Sequence, residues 1–336
     1  MLRNLLSGLA LFVSAATASA YDIGTIIDRH VIPGYETLAR RAVELDTAAQ
    51  ASCSADSHDL RAAYNAAFDA WVRVSHIRFG PSEDEDRAFA LAFWPDTRGF
   101  TPRELATLIE TEDPVIETQE EFSHVSIAAR GFYAMEFLLY DPQFTAAEPE
   151  DYRCALVRAV ARDIEANAEA ILAGWQDGYA EVMLTAGEND TYRSREEAAQ
   201  RFFGAVATGL QFTSDTRLGR PLGTFDRPRP NRAEARRSGR ALRNVVLSLE
   251  GTRQLVRLLA EDSETVTDTL DAAYDRAFEQ AKELEDDPVL EGVDDPQQRL
   301  KIEILQQNID RIRELLGTSL GPLLGVGTGF NAMDGD

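Results

Sequence analysis

Lysine is almost absent from this chain: of 34 basic residues, all but Lys282 and Lys301 are arginine. There are two cysteines, four histidines and three tryptophans. Two cysteines with no CxxC spacing argue against a thiolate metal site or a catalytic cysteine. No GxSxG, Walker A, dinucleotide fingerprint or HExxH pattern occurs, so the commonest hydrolase, nucleotidase and zinc-protease signatures are missing. Runs of alternating β-branched residues long enough for a sheet are also missing. Positive charge is in deficit: 57 acidic residues against 34 basic give −23. Such a surface repels phosphate backbones and anionic membrane faces, so no nucleic-acid partner is expected.

What remains is ordinary globular material, 44% apolar and 27% charged over 336 residues, with room for two domains. Residues 1–20 carry a basic start at Arg3, an apolar run and the small-residue pattern Ala18-Ser19-Ala20. That is the form of a secretory signal peptide, cut after Ala20. The run is short for a membrane span and nothing later replaces it, so no transmembrane segment is expected after its removal. The expected address is the bacterial periplasm. In an oxidising compartment, Cys53 and Cys154 are most simply one disulfide closing a loop of about 100 residues, a buried unpaired pair being the alternative.

The apolar period is helical nearly throughout. Ile26, Val31, Leu38, Ala42 and Leu45 share a face, as do Leu60, Tyr64, Phe68, Trp71 and Val74. A loop-like stretch runs from Phe79 to Thr101, with Thr101-Pro102-Arg103-Glu104 reading as a helix start. Phe122 to Tyr140 and Tyr152 to Met183 complete a first group of about four helices. Gly187 to Thr191 reads as a linker. A second group follows at Glu196 to Gln211, Ala233 to Leu259, Asp262 to Leu284 and Pro296 to Leu316. The expected fold is all-α: two sequential four-helix-bundle-like domains, residues 21–186 and 187–336.

The chemically informative segment is Gly131-Phe132-Tyr133-Ala134-Met135-Glu136. Glu136 lies in an otherwise apolar helical run, where burying a carboxylate is costly unless it is paired or metal-bound. Tyr133, three residues earlier, shares its helical face. A phenolate and a carboxylate are hard donors suited to ferric iron, although two ligands do not hold a metal alone. The alternative is structural: a Tyr133 hydroxyl bonded to Glu136, or a Glu136–arginine pair tying helices together. His30 or His76 could approach from another helix. His124, on a continuous helix, would point about 180° away from Tyr133.

In this order the segments resemble the imelysin-like family (insulin-cleaving membrane protease and iron-regulated protein A type). The resemblance rests on His30-Val-Ile-Pro-Gly-Tyr35, Trp71 with Arg78-Phe-Gly-Pro81, and Phe93-Trp-Pro-Asp96. It continues through Gly131 to Glu136 against the family's G-x-H-x-x-E, Glu234-Ala-Arg-Arg-Ser238, and the ending Gly329-Phe-Asn331 to Asp334-Gly-Asp336. The motif histidine is replaced by Tyr133, which removes the usual zinc ligand and weakens a metallopeptidase reading. The resemblance implies two helical bundles, a site where the halves meet, and a link to iron uptake. Candidate metal ligands are Tyr133 and Glu136. Candidate ligand-binding or supporting residues are Arg78, Asp96, Asp215, Arg217, Glu234 and Ser238, and an arginine beside Glu136 would lower its pKa. The implied function is a non-catalytic, periplasmic binder of a metal or small ligand, with ferric iron as the implied metal and iron-uptake components as the implied partners. A metal-dependent peptidase and a metal-free helical interaction module are the alternatives.

Overall fold

The computed structural model describes residues 21–326. The signal-peptide reading (residues 1–20) and the ending that carries Asn331 and Asp334 lie outside the described residues. Among those described, the chain is helical, and the only β-type pairing is an isolated bridge between Thr224 and Arg227. No helix among them is long and apolar enough to cross a membrane.

Nine longer helices organise the described residues: α1 Ile32–Ala51, α2 His58–Val74, α3 Phe100–Thr111, α4 Gly131–Tyr140, α5 Glu150–Gly174, α6 Arg195–Gln211, α7 Ala241–Leu259, α8 Glu264–Lys282 and α9 Pro296–Leu315. The first bundle is α1, α2, α4 and α5, with α1 packed on α2 and α5, and α4 bridging α2 and α5. The second is a closed ring in which α6 meets α7, α7 meets α8, α8 meets α9 and α9 returns to α6. Each helix buries the stripe its spacing foretells: Tyr35, Leu38, Ala42, Leu45 and Ala49 on α1; Leu60, Tyr64, Phe68 and Trp71 on α2. Side chains seal the starts. Ser57 Oγ accepts from Leu60 N at 3.3 Å, and Asp295 accepts from Gln297 N and Gln298 N at 3.0 Å.

The two bundles share one apolar core, joined where α7 packs on α2. Gly251 makes that contact possible, because a β-carbon there would run into the Arg73 carbonyl. Cys53 and Cys154 are bonded, with their Cα atoms 5.1 Å apart, tying the end of α1 to the start of α5.

Three helices are shorter than their periodicity suggests, the expected Tyr152 to Met183 helix being broken at the π-type turn Trp175–Tyr179. The run from Phe122 to Tyr140 is broken: a short helix ends at Phe122, a 3-10 turn covers Ile127–Ala129, and α4 begins at Gly131. Gly131 has φ +71°, and its missing side chain lets the backbone lie against the Ala90 and Leu91 carbonyls. His124 is therefore not on one helix with Tyr133. Likewise α7 starts at Ala241, not Ala233, because residues 233–240 form a turn with left-handed Ala235 (φ 44°) and Gly239 (φ 73°). Thr101 does not cap α3. Asp96 does so from outside, accepting from Thr101 N at 2.8 Å and Arg98 N at 3.1 Å.

Replacing both cysteines by serine releases a 101-residue separation in the unfolded chain. The expected loss is about 4–5 kcal/mol, read as a lower denaturant midpoint with unchanged far-UV helicity in water.

Candidate functional site

The turn 233–240 lies across the first bundle and holds it at four points. Glu234 reaches Tyr133, Ser238 reaches Glu136, Arg237 reaches Asp141 at 2.5 Å, and Arg240 reaches Asp69 at 2.5 Å. The left-handed residues in the turn aim Glu234 and Ser238 inward on the same side. This brings together five of the eight sequence-derived candidates, in two adjacent groups.

In the first group, the Tyr133 hydroxyl donates to Glu234 Oε1, and Arg217 Nε donates to Glu234 Oε2 at 2.7 Å. Arg217 sits in a π-type turn, Phe212–Leu218, at the end of α6. Its Nη1 also donates to Thr213 and Ser248, both at 3.2 Å, and its guanidinium lies over the Phe212 ring. Glu234 is 1% exposed, Arg217 5% and Tyr133 6%. Burial, then the adjacent Glu234 charge, push the Tyr133 phenol well above its ordinary range, so it stays protonated and donates.

In the second group, Glu136 Oε1 accepts from Ser238 N at 2.9 Å and Ser238 Oγ at 2.8 Å. Burial raises its pKa despite these bonds and the nearby Arg237. The lowering expected from a neighbouring arginine is present but outweighed: Arg237 is itself paired with Asp141, and burial prevails. Tyr133 and Glu136 share a helix face but not a hydrogen bond, so the direct pairing considered from sequence gives way to two cross-bundle pairings.

The remaining candidates scatter. Arg78 pairs with Glu83 at 2.7 Å and lies over Phe89. Asp96 caps α3. Asp215 points outward to Arg313 at 3.3 Å. His30 and His76 meet each other, sharing a hydrogen bond between Nε2 atoms at 2.9 Å, with both Nδ1 atoms buried and unpartnered.

Two cavities border the site. One, of about 330 Å³, opens between the bundles and is walled by Trp71, Trp94, Phe212, Arg78, Arg217 and Tyr133. No Asp or Glu lines it. The other, of about 230 Å³, lies beyond Tyr133 and Trp94, which line both. Trp94 stacks on Tyr133 with ring centroids 6.2 Å apart and meets Phe212 edge-on at 5.8 Å. Sequence reasoning missed Thr213 and Ser248 as supports of Arg217, since nothing in their local pattern marks them.

The donor set does not suit a bare metal ion. Among the described residues no three His, Cys, Asp or Glu side chains converge. Tyr133 is held as a neutral donor, and the Arg217 cation already covers Glu234 where a metal would compete with it.

Removing Glu234 should cost far more than removing the Tyr133 hydroxyl. Glu234→Ala strands the buried Arg217 charge and is expected to lose about 3–5 kcal/mol. Tyr133→Phe leaves the Arg217–Glu234 pair intact and is expected to lose about 1 kcal/mol. Denaturant unfolding of both variants checks the order.

The histidine pair gives a pH dependence. Burial pushes His30 down from 6.5 to about 4 and His76 well below 6.5, where the neighbouring His30 and Arg217 also disfavour its charge. Below pH 6.5 the unfolded chain takes up protons that the folded chain refuses. The stability is therefore fully present above pH 6.5 and is lost as pH falls towards 4. For His30 the loss between pH 6.5 and 5 is about 2 kcal/mol. Glu136, raised by burial, works in the opposite sense. Denaturant midpoints from pH 7 to 5 should fall in the native protein and fall less steeply in His30→Leu.

Comparison with known proteins places this geometry. The family model for imelysin, peptidase M75, matches residues 31–316. An imelysin-like protein from Psychrobacter arcticum 273-4 is similar in structure, with TM-score 0.76 and 20% identity over 92% of this chain and 96% of that one. A putative iron-regulated protein A precursor from Parabacteroides distasonis ATCC 8503 is also similar, with TM-score 0.74 and 14% identity over 93% of this chain and 97% of that one. No curated protein matches.

Proposed function

We propose that this chain, which belongs to the imelysin family, is an exported binding protein that captures a metal-bearing ligand in connection with iron uptake and performs no covalent chemistry. The observation that carries the reading is the cavity at Tyr133. It is walled by Trp94 and Phe212, it faces two guanidinium groups, and it has no carboxylate in its lining. That lining favours an organic ligand over a bare cation, even though the chain as a whole carries −23. Iron would therefore arrive already complexed, its charge met by the chelator's own donors.

Three features support the rest of the reading. The printed name of the Parabacteroides protein ties a structurally similar chain to iron regulation. The disulfide suits an oxidising compartment, in keeping with the signal-like residues 1–20. Against catalysis, Tyr133 stands where the family motif has histidine and is fixed as a donor, while Ser238 holds one of the two Glu136 oxygens.

The test is retention of iron from two chelates, anionic ferric citrate and neutral ferric acetohydroxamate, after gel filtration, with tryptophan fluorescence followed in parallel. Stoichiometric retention of either chelate is expected, weakened about tenfold or more in Trp94→Ala, which is about 1.4 kcal/mol. Absence of retention from both chelates would overturn the reading. Hydrolysis of a peptide library, abolished in a folded Glu136→Ala variant, would replace it with the peptidase alternative.

A further inference from the structure

The arginines that tie the two bundles together each hold a carboxylate: Arg217 holds Glu234, Arg237 holds Asp141, and Arg240 holds Asp69. Among the neighbouring arginines that do not, two line one cavity. Arg220, just past the π-type turn, has no ion pair among the described residues, and its Nε is buried with no hydrogen-bond partner among them. It lies over the Trp94 ring, 5.7 Å from the centroid. Arg232, at the start of the clamping turn, likewise has no side-chain partner among the described residues, and it is exposed. Both line the 230 Å³ cavity beyond Tyr133 and Trp94.

The two guanidinium groups feel each other. The pKa of Arg220 is lowered by burial first and by the Arg232 charge second. Holding like charges together in a concave site is unfavourable unless something of opposite sign completes it. Of the carboxylates in the same wall, Asp96 is engaged through both oxygens and Glu136 through Oε1. Asp96 takes the backbone N–H groups of Arg98 and Thr101, and Glu136 takes Ser238. A further polar atom is left over: Thr101 Oγ is buried in the cavity wall without a partner. Two forked cations lining one small space, with an unpartnered hydroxyl buried in the same wall, have the chemistry for an oxyanion.

We infer that this second cavity is an oxyanion subsite, in which Arg220 and Arg232, with the Thr101 hydroxyl, hold a carboxylate or phosphate group of a small anionic ligand. The inference rests on the proposed ligand-binding function and names the chemistry of one end of that ligand. Trp94 and Tyr133 form the partition between the subsite and the larger cavity, so a ligand with a bulky end and an anionic end would meet both. The volume suits a small acid or phosphate, not a polymer.

The experiment is calorimetric titration of the purified protein with inorganic phosphate and, separately, with iron-free citrate, at low ionic strength in a cationic buffer. Expected is saturable 1:1 binding of at least one anion, about tenfold or more weaker in Arg220→Gln and in Arg232→Gln. Arg220→Lys should fall between, and Arg276→Gln, at an exposed arginine outside the cavities, should match the native protein. The tighter anion identifies the group. Arg232→Gln changes an exposed side chain, so it keeps the test open should Arg220→Gln fail to fold. Absence of saturable binding, or equal binding in Arg232→Gln, overturns the inference. Anion binding without retention of ferric chelate removes the iron reading and leaves the subsite. Chelate retention with no anion binding, or with neither arginine substitution weakening it, leaves the iron reading and removes the subsite.

Discussion

The arrangement depends on one carboxylate bound from two sides. Glu234 takes the Tyr133 hydroxyl from the first bundle at one oxygen and the Arg217 guanidinium from the second at the other. Parting the bundles at this point would break the Tyr133–Glu234 bond and strand a buried phenolic hydroxyl, while Glu234 kept its Arg217 partner. Ser238 with Glu136, Arg237 with Asp141 and Arg240 with Asp69 repeat the grip along the same turn. The clamp is polar while the α2–α7 contact beneath it is close-packed, with Gly251 against the Arg73 carbonyl. Apolar packing supplies the adhesion, and the polar turn supplies the register in which Tyr133, Trp94 and Arg217 meet around a cavity.

The charge arrangement separates surface from site. The acidic excess is spread over the outside, whereas the space between the bundles is lined by arginine and aromatic rings. A guanidinium stays charged at any pH the protein meets and stacks on flat rings, as Arg217 does on Phe212 and Arg78 on Phe89. The near-absence of lysine therefore has a structural counterpart at the site: the cations there are planar, with fixed directions of hydrogen bonding. An ammonium would neither fork onto Glu234 nor lie against Phe212 in the same way.

The helices were legible because their signal is local. Tyr35, Leu38, Ala42 and Leu45 repeat at a spacing that only one backbone form satisfies, and the same holds along α2 and α9. The Cys53–Cys154 bond followed from there being no other pairing. What stayed hidden was decided by backbone conformation or by distance along the chain. Nothing in the string Glu234-Ala-Arg-Arg-Ser238 announces that Ala235 turns left-handed and stops the helix. The Tyr133–Glu234 bond joins residues 101 apart, so helical periodicity offered Glu136 as the nearer partner and could not offer the true one. The segments singled out around residues 133, 217 and 234 did converge, which residue chemistry alone could not have foreseen.

Among the described residues four π-type turns interrupt the helices, at Ile27–Val31, Trp175–Tyr179, Phe212–Leu218 and Leu316–Leu320. Two of them carry residues of this central region: His30 in the first and Arg217 in the third. A π-turn is an α-helix holding one residue more than its pitch accommodates. Taking a single residue out of Phe212–Leu218 would let the helix close into regular geometry, with its flanks near their present register and the residues inside the turn displaced. Arg217 would swing off Glu234 while the hydrophobic stripe of α6 stayed seated. Length in this stretch is thus held to the residue by the site and not by the core: the fold would absorb a one-residue deletion here more readily than the cavity would.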